Sequence, residues 1–505
     1  MNWMLYSLEI VMVLTGLGIL LLDLGTPARG KRDLGYLGAF LLGLLLLQSV
    51  FLPEAQEGFS LMSSGNSITA APGYTLDPFA RYFKHLFILA AILVLLMTVD
   101  FADRLRHGVS EFFALVLFAL AGMSAAASAT NFITLFVSIE LITVTFYVLT
   151  SFQRDQFRSL EAGVKYLILG AAASAVLVYG IALIYGATGS MDFAALGKES
   201  TGTAAQDYIL QLGLLLVMAG LGFKIAAFPF QIWVPDVYQG APAPVTAFLA
   251  VGSKAAGFAL LMRLCHHLRP DLQALAGTVL AVLAGLTILY GSLCALRQRN
   301  LKRLLGYAGI ASAGYLLLGL LALNTRQGGP TASADGCHAM LFYLAGYLFA
   351  VMAAFTVICH VSRDGEDEDL SILTGLHQRS PLLATVLTLS IISMAGIPPL
   401  VGFLGKFLLL QSALGALAER GAHLWLIIAA LAGVVISLYY YFGILRAIYW
   451  GNGIRTDEVV ETRPPIILPP TARLTLIACA LILVLLGIFP EPLLDLSSRA
   501  VELFR

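Results

Sequence analysis

Apolar stretches of about twenty residues recur along the whole chain, near 4–22, 34–52, 82–99, 111–128, 131–151, 160–186, 207–228, 243–265, 273–295, 301–323, 336–360, 381–414, 424–448 and 471–489. That length of helix crosses the hydrocarbon core of a bilayer. Inside hydrocarbon a helix satisfies its own amides and carbonyls, which an isolated strand cannot do. The pattern therefore predicts an all-α polytopic membrane protein of about fourteen transmembrane helices. The longest gap, 53–81, is a modest Gly/Ser/Pro loop with no room for a soluble domain. With 59% hydrophobic residues, 12% charged residues and a mean hydropathy of +0.87, too little polar surface exists to cover a water-soluble core. Soluble enzymes, nucleic-acid binders and disordered chains are excluded.

Thirty Lys and Arg balance thirty Asp and Glu, so net charge points to no polyanionic partner such as nucleic acid. Lys and Arg gather at one face of the spans, among them Arg29, Lys31, Arg32, Arg104, Arg106, Arg154, Arg158, Arg297, Arg299, Lys302 and Arg303. By the positive-inside rule this favours an even number of spans with both termini on the outer, periplasmic side; Arg263 and Arg269 depart from the pattern. The first stretch lacks a basic flank and a small-residue cleavage site, and it reads as a retained span. The five cysteines form no CxxC pair and read as buried free thiols.

Four lysines fall inside apolar spans: Lys165, Lys224, Lys254 and Lys406. A charge at the bilayer centre costs a few kcal/mol even on the most lenient scale, so such residues mark candidate ion paths. Lys165 lies near the start of its helix and could instead snorkel to the interface. Glu140, in NFITLFVSIELITVTFYVLT, is the natural counter-charge for one of the lysines, whereas Glu9 has no evident partner. Pro229 follows Lys224 by five residues, and Pro398 and Pro399 precede Lys406 in MAGIPPLVGFLGKF. Proline removes an amide donor and clashes with the preceding turn, so both helices are predicted to break. A broken helix with a buried lysine in each half of a chain suggests an inverted repeat around a midplane ion path. Tyr307, Ser312 and His338 extend the polar series. Tyr and Ser also serve as interhelical hydrogen-bond formers, and His338 adjoins a loop. There is no Walker loop, no GxGxxG after a strand, no HExxH and no cysteine cluster, so no nucleotide, metal or redox group is expected on this chain.

From Phe223 to Lys254 the sequence reads FKIAAFPFQIWVPDVYQGAPAPVTAFLAVGSK. It resembles the antiporter-like membrane subunits of bacterial-type respiratory complex I (NADH–quinone oxidoreductase). The W-x-P-D-V-Y-Q-G-A-P-A-P-V form is that of the N subunits. L and M subunits tend to carry a histidine before the tryptophan and an alanine after the aspartate. GYAGIASAGYLL, LAGYLF and AGIPPLVGFLGKF continue the likeness over nearly the whole chain. The resemblance implies two inverted five-helix repeats with discontinuous seventh and twelfth helices. It divides the chain into N-terminal helices (1–110), a first repeat (111–270), a second repeat (271–450) and a C-terminal loop and helix (451–505). It also implies a proton relay in which Glu140 pairs with Lys224, Lys165 and Lys254 intervene, and Lys406 ends the series. Ser312 stands where some relatives carry a histidine.

The function implied is a proton-translocating subunit in the inner membrane of a bacterial cell. It would belong to a translocase whose NADH, FMN, iron–sulfur clusters and quinone are held by partner subunits, with other antiporter-like subunits as neighbours. Burial disfavours a charged lysine and a nearby carboxylate favours it, so a movable Glu140 could switch Lys224 between holding and releasing a proton. Two alternatives share the fold: a subunit of a multisubunit cation/proton antiporter, and a non-conducting scaffold whose polar groups only pin helices.

Overall fold

A computed structural model describes residues 3–27, 30–51, 70–199, 203–323, 329–362, 368–418, 424–450 and 465–502. Its crossing helices are α1 (Ser7–Asp23), α2 (Asp33–Phe51), α3 (Pro78–Phe101), α4 (Val109–Ser128), α5 (Phe132–Thr150) and α6 (Phe157–Thr188). There follow α7a (Ala204–Ile225) and α7b (Trp233–Gly240), then α8 (Ala243–His266), α9 (Pro270–Ala295), α10 (Leu301–Leu323) and α11 (Gly329–Val361). The series ends with α12a (Pro381–Ala395), α12b (Val401–Ala418), α13 (Leu424–Tyr449), α14 (Pro470–Ile488) and a short α15 (Glu491–Ala500). Twelve spans among the described residues are long and apolar enough to cross a bilayer. The 17-residue α1 and the broken α12 supply the remaining two crossings, fourteen in all. A two-residue hairpin, Ala70–Ala71 against Tyr74–Thr75, precedes α3.

Local chemistry sets the helix ends. Asp77 caps α3 by accepting from the Ala80 amide at 2.7 Å, with Pro78 in the first turn, where its missing N–H costs nothing. Asn131 caps α5 by accepting from the Thr134 amide at 2.8 Å, which separates α4 from α5 within a continuous apolar run.

Helices α8 and α10 are buried along their spans and form the centre, while α6 and α14 turn most of their surface outward. Side chains as apolar as lipid give no solvent-driven packing, so close backbone approach matters more. At the α6–α7a crossing a Cβ on Gly180 would lie 2.8 Å from the Gly213 carbonyl oxygen, so only glycine fits. The two broken helices occupy matching places, each fourth in the series α4–α8 and α9–α13. Five crossings is an odd number, so the second series starts from the face opposite the first.

Candidate proton-relay site

Helix α5 presents Glu140, Thr143 and Tyr147 at spacings of three and four, a single helical face. Thr143 donates to the Ile139 carbonyl at 2.6 Å and accepts from the Lys224 ammonium in the last turn of α7a. Glu140 accepts from Ser174 on α6. Glu140 and Lys224 make no direct ion pair. Thr143, which takes the lysine, lies one turn from Glu140 on the same face of α5. The Lys224 Nζ also sits 5.9 Å above the ring of buried Tyr166, which packs on Trp233 at 4.8 Å. The Tyr166 hydroxyl is buried and has no hydrogen-bond partner among the described residues.

Both predicted breaks are present. Helix α7a ends at Ile225, Ala226 turns into the left-handed region at φ 62°, and helix resumes at Trp233. The freed Phe223 carbonyl accepts from the Trp233 indole at 3.1 Å, and the Phe228 amide donates to Thr287 of α9 at 3.0 Å. Helix α12a ends at Ala395, followed by Gly396 at φ 83°. Here the lysine itself satisfies the open end: Lys406 Nζ donates to the Met394 carbonyl at 2.7 Å and to that of Ala395 at 3.2 Å. The last carbonyls of a helix carry the negative end of its dipole, so they suit a cation. Lys406 also lies 5.2 Å over the Tyr315 ring, whose hydroxyl donates to the Ala430 carbonyl at 2.8 Å. At both breaks these freed groups find partners within the protein.

Lys254 follows a π-helical turn, Leu249–Ser253, in α8, a distortion found often at functional sites. Its Nζ donates to the Gly309 carbonyl at 2.7 Å and stands 5.8 Å from the Tyr347 ring. A void of about 10 Å³ touches Gly309, Tyr347 and Met394.

Lys165 is placed differently from the lysine expected inside a span. Its side chain is 42% exposed and bridges Glu161 at 2.8 Å and Asp236 at 2.7 Å. Asp236, at the start of α7b, also pairs with Arg303 of α10 at 2.6 Å, so one carboxylate ties the two halves together beside a cavity of about 120 Å³. Tyr307 lies one turn from Arg303, with its ring centroid 6.3 Å from that of Tyr290. Ser312 donates to the Ala308 carbonyl at 3.0 Å, and His338 Nδ1 lies 3.1 Å from Ser497 of α15.

Several partners escaped the sequence reading. Thr143, Ser174 and Asp236 carried no role in it, although Asp236 stands in the distinctive WVPDVYQG segment. Glu9, left there without a partner, pairs with Lys84 of α3 at 2.7 Å, and Lys84 also donates to the Tyr74 hydroxyl at 2.6 Å. Lys84 is fully buried, a fifth intramembrane lysine, overlooked because it lies near the start of its span. Arg263, which departed from the charge asymmetry, is buried and clamps Asp77 through two hydrogen bonds of 2.8 and 2.9 Å.

A profile of the family described as NADH:quinone oxidoreductase/Mrp antiporter, TM, matches residues 129–437. The chain is 40% identical to the NADH-quinone oxidoreductase subunit N of Desulfitobacterium hafniense, over 99% of this chain and 98% of that one. It is 38% identical to that of Desulforamulus reducens, over 100% and 99%. Among solved structures, a chain of respiratory complex I from Thermus thermophilus superposes with a TM-score of 0.76 at 33% identity, covering 97% of this chain and 99% of that one. A chain of the Mrp complex from Dietzia, with a TM-score of 0.76 at 22% identity and coverage of 99% and 97%, shares the fold. With a broken-helix architecture, buried lysines at both breaks and full-length relatives named subunit N, the chain belongs to the NADH:quinone oxidoreductase/Mrp antiporter family of membrane subunits, in its subunit N branch.

Proposed function

We propose that this chain is a membrane-arm subunit of an NADH–quinone oxidoreductase and moves protons through a relay of Glu140, Lys224, Lys254 and Lys406. The observation that carries this reading is how the three deep lysines are held. Lys224 donates to a hydroxyl, and Lys254 and Lys406 donate to backbone carbonyls. A buried structural cation normally faces a carboxylate, because an uncompensated charge is costly. A lysine that faces neutral oxygens can pass between ammonium and amine without stranding an anion. Glu140 lies one turn from the Thr143 hydroxyl that receives Lys224, and the Tyr166 ring stands against the Lys224 ammonium. Lys165 and Asp236 form the mouth of the relay rather than a step within it. Electron transfer and its cofactors belong to other subunits.

The test is Glu140→Gln in the whole complex, measured as proton uptake by inverted membrane vesicles during NADH-driven quinone reduction. Assembly should be retained and pumping reduced at least severalfold. Normal pumping by a normally assembled variant would overturn the relay.

A further inference from the structure

A cleft of about 870 Å³ opens on the outer surface of the bundle between the end of α9, the start of α10 and the last turns of α13. Its chemistry changes with depth. Leu438, Tyr439, Phe442 and Gly443 make an apolar wall, and Gln298 and Arg446 close the other end. Leu438 and Arg446 are eight residues apart on α13, about 12 Å along the axis. Tyr449 and Trp450 follow immediately, where interfacial aromatics mark the headgroup level. Tyr439 is 73% exposed, so the wall faces whatever surrounds the protein.

At the cationic end the Arg446 guanidinium makes no hydrogen bond or ion pair with another described residue. An apolar trough one half-bilayer deep, ending at headgroup level in an unsatisfied guanidinium, matches one kind of molecule. A neighbouring apolar helix would cover the wall but leave the guanidinium bare. A zwitterionic lipid would bring its own ammonium against it. Guanidinium binds phosphate oxygens through paired N–H donors, and basic residues at this level attract anionic lipid.

We propose that this cleft binds an anionic phospholipid, with the phosphate held at Arg446 and an acyl chain laid along Tyr439, Phe442 and Gly443. A Cβ on Gly443 would meet nothing within 4 Å, so the trough at that point is open space that a chain can fill. The site is separate from the relay, and its occupancy does not depend on whether protons cross this subunit.

The test uses the assembled complex, stripped of lipid and placed in phosphatidylcholine nanodiscs containing a minor share of photo-crosslinkable phosphatidylglycerol. Labelled peptides are mapped by mass spectrometry. Wild type should label between Tyr439 and Trp450, and photo-crosslinkable phosphatidylcholine should label there weakly. Arg446→Gln should lower phosphatidylglycerol labelling about fivefold, the worth of one basic residue at an anionic surface. Arg473→Gln, an exposed arginine at the start of α14, should leave it unchanged. Gly443→Leu should block the trough while keeping every charge, and it decides the matter if Arg446→Gln fails to assemble. Equal labelling by both lipids, labelling indifferent to Arg446→Gln or to Gly443→Leu, or crosslinks to a neighbouring protein chain in place of lipid would each overturn the proposal.

Discussion

Lys84 and Lys406 are both buried lysines, yet they are held in opposite ways, and the difference predicts how each responds to substitution. Lys84 has the Glu9 carboxylate at 2.7 Å, an arrangement that fixes the charge. Removing one member of a buried pair leaves the other uncompensated at a cost of roughly 3–5 kcal/mol, whereas replacing both by apolar groups is often neutral. Glu9→Gln should therefore lower the thermal stability of the complex, and the Glu9→Gln, Lys84→Met double variant should regain most of it. If the single and double variants melt together, the pair is not the clamp described. Lys406 rests on two carbonyls and has no such partner. Lys406→Arg keeps the charge but cannot release a proton at accessible pH. A relay is impaired by Lys406→Arg and Lys406→Ala alike, whereas a scaffold tolerates arginine better; wild-type pumping by the arginine form would rule out a relay role. At this scale the sequence announced Lys406 but neither Lys84 nor the groups that hold the two. Glu9 and Lys84 sit on different helices, and nothing in either local segment records that the fold brings them together. Lys165 had the converse problem: two carboxylate contacts, local Glu161 and distant Asp236, turn an intramembrane charge into an interfacial one.

At the scale of elements the two helix breaks were legible because proline and glycine act through local backbone sterics, which need no tertiary contact to operate. What could not be read was how each open end is closed. Trp233 serves the first and Lys406 the second, and that asymmetry has a consequence for mutation. Trp233→Phe removes a hydrogen bond to the Phe223 carbonyl, a loss of about 1 kcal/mol, and should slow neither assembly nor pumping greatly. Gly396→Ala should do more. Its φ of 83° disfavours an L side chain by about 1 kcal/mol, and the new Cβ would stand 3.0 Å from Cδ of Lys406. Pumping should fall while the complex still assembles. Gly415→Ala, in open space on the same α12b, is the control and should behave as wild type. Equal behaviour of the two variants in the vesicle assay would detach Lys406 from the geometry of the break.

Over the whole molecule, the helices sort by depth: α8 and α10 lie sealed at the centre, and α6 stands at the rim. The number of crossings was legible because the hydrocarbon thickness imposes it on every span, but centre and rim were not, since α6 and α10 are similarly apolar. Helix α6 is 32 residues long, about 48 Å at 1.5 Å per residue, against about 30 Å of hydrocarbon. Even a tilt of about 20° recovers only a few ångströms of the excess. Shared between the two ends, the overhang brings Lys165, eight residues into the helix, within about a turn of the hydrocarbon boundary. Its charged contacts with Glu161 and Asp236 then sit among lipid headgroups. Hydrophobic mismatch thus becomes a variable of function. In bilayers of longer-chain lipid the boundary would climb further beyond Lys165 and draw the Asp236 junction between the halves into hydrocarbon. Pumping per electron should therefore decline as acyl chains lengthen, while NADH oxidation by the intact complex changes less. Under the proposed relay, one overlong helix would make the protein a gauge of how thick its membrane is.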